Sequence, residues 1–313
     1  MISRHLEAKL RSAARAYPVV HLTGPRQSGK TTLVRQVFGK YPYVSLEDPD
    51  EREFALLDPR GFLGRLEGGA VLDEVQRVPS LLSYLQTEVD RDDRPGRFIL
   101  TGSQQLLLRQ QVVQTLAGRA ALLHLLPFSF KELLRRKLPD PYIITRQTSH
   151  LAAPGRQLEE VLFTGMYPRI HDKGLDAHDW LANYYRTYVE KDVRQVLRVG
   201  DLETYQRFVR LCAGRNGQLL NFSSLAADCG ISHATARQWV STLEASFLVT
   251  LIRPHHGNFS KRLIKSPKLY FLDTGLLCYL LRISDAESLL THPQRGAIFE
   301  AFARRPLRYV ENP

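Results

Sequence analysis

Short apolar runs recur through the first 125 residues, each separated from the next by polar or helix-periodic chain. Val19–Leu22 is the first. Tyr43-Val44-Ser45-Leu46 is the second and ends in Glu47-Asp48-Pro49. Gly69–Glu74, Arg97–Ser103 and Ala120–Leu125 follow. Thr32–Phe38, Ser80–Val89 and Gln104–Leu116 lie between them, with helical or irregular spacing. Buried runs alternating with helices predict an α/β fold, a parallel sheet with helices on both faces.

The pattern changes at Pro139–Pro154, where three prolines and weak periodicity predict a linker. Beyond it the chain reads as mostly helical, including Trp180–Val199, whose aromatics at Tyr184–Tyr188 suit core packing better than base stacking. In Phe222–Phe247, Leu225, Ala226 and Cys229 form one apolar helical face, and Ala236, Trp239, Val240 and Leu243 form another. Gly230 is placed to close the first helix and Ser232 to cap the second, which predicts a helix-turn-helix. Leu248–Arg253 and Leu269–Leu272 would add strands and make it a winged helix. The expected domains are an α/β domain over 1–140, a linker and helical segment over 141–200, a winged helix over 201–285 and a truncated or disordered tail over 286–313.

The chemistry enters at the first strand. Gly24-Pro25-Arg26-Gln27-Ser28-Gly29-Lys30-Thr31, followed by Thr32, is a G-x-x-x-x-G-K-[ST] loop between a strand and a helix. Glycines let such a loop turn its N–H groups onto phosphate oxygens, and the helix adds its positive end. Lys30 would meet the β- and γ-phosphates and the Thr31 hydroxyl would ligate Mg²⁺. Asp73-Glu74 ends the third strand, so Asp73 would hold the metal shell and Glu74 would orient or deprotonate a water. Ser103 and Gln104, at the tip of the fourth strand, are alternatives for contact with the γ-phosphate or the attacking water. Arg119, in Leu116-Ala117-Gly118-Arg119, is placed either as a surface arginine in a turn or as an arginine finger for a neighbouring subunit.

Composition narrows the partners. The formal net charge of +11 favours a polyanion. Outward-facing Ser232, His233, Thr235, Arg237 and Gln238, with Lys261, Arg262, Lys265 and Lys268 in the wing, would suit duplex DNA; a docking role for the winged helix is the alternative. No apolar stretch approaches a membrane span, so no membrane partner is expected. The three cysteines are far apart and suit a reducing cytoplasm, without a disulfide frame or metal cluster. His255-His256 reads as loop. No Asn-Lys-x-Asp for reading guanine is seen, and no segment demands the substrate lid of a small-molecule kinase.

Taken in order, the phosphate loop, Leu-Asp-Glu-Val-Gln-Arg-Val-Pro, Ile-Leu-Thr-Gly-Ser-Gln and Leu-Ala-Gly-Arg resemble bacterial and archaeal AAA-like ATPases. Thr164–Arg169, Tyr185–Val193 and Lys268–Leu277 extend the resemblance to about Glu300. The family is similar to the STAND signalling ATPases. The resemblance implies ATP and Mg²⁺ as ligands, and a Gly-x-Pro element near the adenine at Gly165–Pro168. It further implies a following domain of restriction-nuclease-like fold, from which this chain departs at about Ala301. A truncated or frame-shifted product is expected, with Ile298, Phe299 and Phe302 left as an exposed apolar patch; a natural short form with a disordered basic tail is the alternative.

Overall fold

A computed structural model describes residues 2–103, 115–135, 158–188, 202–254 and 266–304, and two compact units divide at Leu138. Gln104, Lys261, Arg262, Lys265, His255-His256, the Pro139–Pro154 linker and the chain beyond Arg304 lie outside the described residues.

Unit one opens with α1 (Leu6–Ala16) and β1 (Val19–Gly24), then α2 (Lys30–Val37) and β2 (Tyr43–Ser45). After α3 (Pro49–Leu57) and α4 (Pro59–Gly64) come β3 (Ala70–Asp73) and α5 (Leu81–Arg91). β4 (Phe98–Ser103), β5 (Ala120–His124) and the short α6 (Phe130–Leu133) complete it. All strand pairs are parallel, in the order β2-β3-β4-β1-β5. Each expected strand is present within two residues of its expected limits at either end, because local apolar runs decide which segments can be buried on both sides.

The two faces separate cleanly. Val20, Leu22, Val71, Ile99 and Leu123 pack with Leu10 of α1 and Leu33, Val34 and Val37 of α2. Their neighbours Val19, Ala70, Leu72, Phe98 and Leu100 point the other way and join Ala55, Phe62 and Leu82 of α3, α4 and α5. Period-two alternation thus divides runs that are apolar throughout into two cores. Strand order was not encoded in the runs: β4 lies between β1 and β3, bringing its tip between those of its neighbours.

Unit two contains α7 (Leu158–Thr164), α8 (Pro168–Lys173), α9 (Ala177–Tyr188), α10 (Leu202–Gly214), α11 (Phe222–Cys229) and α12 (His233–Ala245). An antiparallel pair, β6 (Val249–Ile252) and β7 (Lys268–Phe271), leads to α13 (Thr274–Leu280), α14 (Ala286–Thr291) and α15 (Arg295–Arg304). Leu219 adds an isolated antiparallel bridge to Lys268. As expected, Gly230 adopts a left-handed conformation after α11, and Ser232 Oγ accepts the Thr235 N–H at 3.0 Å to cap α12. Trp180 and Tyr184 stack at 5.2 Å, and Tyr184 and Tyr185 are buried.

Two expectations for this half need correction. The helices over 158–188 are not a separate segment: Leu162, Tyr167, Ile170 and Leu181 share one core with Phe208, Leu243, Leu277 and Ile298. Nor is 286–304 a loose tail. Leu289 and Ile298 are fully buried, Phe302 packs on the same core, and Asn216 Nδ2 donates to the Ala297 carbonyl at 2.9 Å. Of the three residues expected to be exposed, only Phe299 is, at 46%. Helical spacing accounts for this, since 298, 301 and 302 share a face and 299 lies off it.

Candidate functional site

Parallel strands all deliver their carboxyl ends to one edge of a sheet, and in open α/β sheets ligands bind along that edge. Here it receives the Gly24–Gly29 loop from β1, Glu74 from β3 and Ser103 from β4, with Gly24 in register with Ser103 and Ser45 with Asp73. The insertion of β4 puts Ser103 between the loop and the acidic pair.

The loop is shaped for close approach. A Cβ on Gly24 would lie 2.2 Å from the Leu125 carbonyl oxygen, so only glycine fits. Gln27 and Gly29 have φ of 62° and 91°, which curl the chain into the N-terminus of α2. No side chain caps that terminus. Ser28 Oγ is buried with no hydrogen-bond partner among the described residues. Lys30 Nζ lies inside, donating to the Gly24 and Pro25 carbonyls at 3.0 and 2.9 Å. Burial pushes its ammonium down to about 8, against the raising influence of Glu74 and Asp73 and with Arg26 adding to the fall. A tightly turned loop leading into an uncapped helix N-terminus, with a poorly solvated cation inside it, fits an anion carrying several oxygens.

Asp73 is 4% exposed at the end of β3. Thr31 Oγ1 donates to its Oδ2 at 2.8 Å and the Tyr43 hydroxyl donates to the same oxygen at 2.5 Å. Thr101 Oγ1 donates to Oδ1. Burial and the Asp73 carboxylate both raise the Tyr43 phenol above its ordinary range, keeping it a donor. A hydroxyl and a carboxylate in direct contact form an all-oxygen donor set, which fits Mg²⁺. Glu74 follows in a left-handed conformation, φ 58°, and its carboxylate accepts from Gln76 Nε2.

The structure therefore brings together Gly24, Ser28, Gly29, Lys30, Thr31, Asp73 and Glu74, with the Ser103 backbone beside them. Arg119 lies elsewhere. It directly precedes β5, at the amino edge of the sheet, where its carbonyl accepts from the Val19 N–H and its guanidinium pairs with Asp90. It cannot serve this chain's own loop at the opposite edge. Tyr43 and Thr101 were not singled out in the sequence reading. Both stand in noted strands, but only the tertiary pairing of β2, β3 and β4 aims them at Asp73.

On unit two, Ser232, His233, Arg237 and Gln238 are exposed as expected. Thr235 is half-buried and hydrogen-bonded to Ser232 Oγ at 2.8 Å. Lys268 is in β7, with Nζ 3.7 Å from Glu300, so its charge is partly committed within the unit. The Phe222 ring lies 5.1 Å below the Arg237 guanidinium and 5.8 Å from the His233 ring.

This fold is of the P-loop ATPase type, and residues 16–134 match the AAA domain family model. Residues 155–287 match a domain of unknown function. Uncharacterized proteins of Mycobacterium tuberculosis and Mycobacterium bovis are each 33% identical over 311 residues. The alignment covers 99% of this chain and 66% of each relative, so the chain spans just under two thirds of their length. A Walker-type ATPase of Pyrococcus abyssi is similar in fold, with TM-score 0.56 and 17% identity over 90% of this chain and 96% of that one. Among the described residues, no helix is long and apolar enough to cross a membrane.

Proposed function

We propose that this protein is a Mg²⁺-dependent ATPase whose nucleotide state switches its C-terminal half. One observation carries the reading: Thr31 Oγ1 and Asp73 Oδ2 meet at 2.8 Å beside Lys30, at the carboxyl edge of a parallel sheet. Gly24–Thr32 would bind the triphosphate, with Lys30 exchanging its two carbonyl partners for phosphate oxygens. Thr31 and Asp73 would hold Mg²⁺. The metal supplies charge neutralisation at the β- and γ-oxygens when bound. Glu74, released from Gln76, would take the proton from the attacking water. Ser103 or Gln104, from the strand between loop and acidic pair, would orient that water or the γ-phosphate. Arg119, at the opposite edge, would serve only the site of a neighbouring copy, so a homo-oligomer is part of the proposal.

A second reading, an ATP-regulated DNA-binding protein with slow hydrolysis, rests on unit two. The helix–bridge–helix–helix–strand–strand order from α10 to β7 supports a winged helix, and the exposed Arg237 and His233 on α12 suit phosphate contact. The test is ATP turnover with and without Mg²⁺, and with and without duplex DNA at two salt concentrations. Mg²⁺-dependent turnover supports the first reading. Salt-sensitive DNA binding with negligible turnover supports the second. Absence of ATP binding overturns both.

A further inference from the structure

Arg4 stands two residues before α1. It is 8% exposed, and its three guanidinium nitrogens each donate. Nε donates to Glu132 Oε1 at 3.1 Å, Nη1 to the Ser28 carbonyl at 2.7 Å and Nη2 to the Leu126 carbonyl at 2.5 Å. The Phe128 ring lies 4.9 Å from Cζ. Glu132 is itself held: Oε1 accepts the His5 N–H and Oε2 the Ser129 N–H, both at 2.7 Å, within the capping box of α6. A buried guanidinium–carboxylate pair is a weak way to stabilise a fold, because desolvation offsets the attraction.

Peptide geometry gives it another role. In a trans peptide the carbonyl and the N–H point in opposite directions. Arg4 holds the Ser28 carbonyl, so the Gly29 N–H is turned away from Arg4. Gly29 is the N-cap of α2, beside the lysine that lines the phosphate loop. We propose that Arg4, fixed by Glu132, is a positioning residue for nucleotide: it sets the Ser28–Gly29 peptide so that the Gly29 N–H faces phosphate before nucleotide arrives. The inference rests on the phosphate-loop reading above. Linkage makes the coupling reciprocal, so bound nucleotide should hold the N-terminal segment more tightly.

The test compares wild type with Arg4→Met, Arg4→Lys and Glu132→Gln. Methionine keeps a stem against Phe128, lysine keeps the charge without the fork, and glutamine keeps the shape of Glu132. Dissociation constants for a fluorescent ADP, kcat and KM for ATP, nucleotide-free melting curves, and amide exchange in α1 would be measured. Arg4→Met should weaken ADP binding about tenfold or more and raise KM, with kcat changed less than about threefold. Arg4→Lys should recover part of the affinity and Glu132→Gln should fall between. ADP should slow exchange in α1 of wild type and not of Arg4→Met. Folded Arg4→Met and Glu132→Gln variants that bind ADP like wild type would overturn this inference alone. Loss of folding in both would assign the pair to the fold and overturn it as well. A wild-type chain that binds no nucleotide would overturn the phosphate-loop reading and this inference with it.

Discussion

Replacing Lys30 by methionine should make the nucleotide-free protein more stable while abolishing nucleotide binding. The lysine is 6% exposed, and burial lowers its ammonium from the ordinary 10.5 to about 8. That fall corresponds to a cost of about 3 kcal/mol for keeping the charge inside the fold at neutral pH. Methionine has a stem of similar length and no charge. Against the gain stand the two lost hydrogen bonds to the Gly24 and Pro25 carbonyls, worth about 1 kcal/mol each. The net expectation is about 1 kcal/mol in favour of Lys30→Met, or a rise of roughly 2–4 °C in Tm. The pH dependence separates this cause from better packing. Lys30 binds its proton more weakly folded than unfolded, so wild type gains stability as pH rises from about 8 towards 10.5. The advantage of Lys30→Met should therefore shrink between pH 8 and pH 10. Saturating ATP should reverse the order, since only wild type gains linkage stabilisation, about 2.7 kcal/mol at a hundredfold excess over Kd. Urea and thermal unfolding at both pH values, with and without ATP, would measure this. A variant less stable than wild type at pH 7, or a gap insensitive to pH, would refute the reasoning.

Glu74→Gln should retain ATP and slow single-turnover hydrolysis by about 10²-fold or more; unchanged turnover would move the base elsewhere, with Gln104 next in line. His21 is buried in β1, and its imidazole is pushed down to about 3, mainly by desolvation and then by His124 and Lys30. It accepts a proton more readily unfolded, so stability should fall with pH from about 6.5 to about 3, by up to about 1.4 kcal/mol per pH unit. His21→Leu should flatten that part of the urea-stability profile, and an unaltered profile would exclude this histidine as the cause. If α12 contacts DNA, Arg237→Glu should weaken binding and reduce the slope of log K against log salt by about 1, measured by fluorescence anisotropy; an unchanged slope would place the contact elsewhere.

Much of this protein is decided within short windows of sequence. An apolar run of four to six residues has few other ways to bury its backbone than in a sheet, and a loop of two glycines with lysine and threonine before a helix has a limited set of conformations. β1 to β5, the Gly24–Gly29 turn into α2, the Asp73-Glu74 strand tip and the caps at Gly230 and Ser232 were therefore legible from the residues alone. What was not legible depends on groups far apart in the chain. Strand order placed β4 between β1 and β3, which turned Thr101 and Tyr43 onto Asp73 and left Arg119 at the opposite edge. The buried contact between Arg4 and Glu132 spans 128 positions, and no periodicity encodes it. The helices over 158–188 and 286–304 looked like a linker segment and a tail because each offers only one narrow apolar face. Only when the faces meet do Tyr167, Leu181, Leu289 and Ile298 leave water together. Burial of that kind is a property of the assembled core, and only the tertiary structure decides which faces share it.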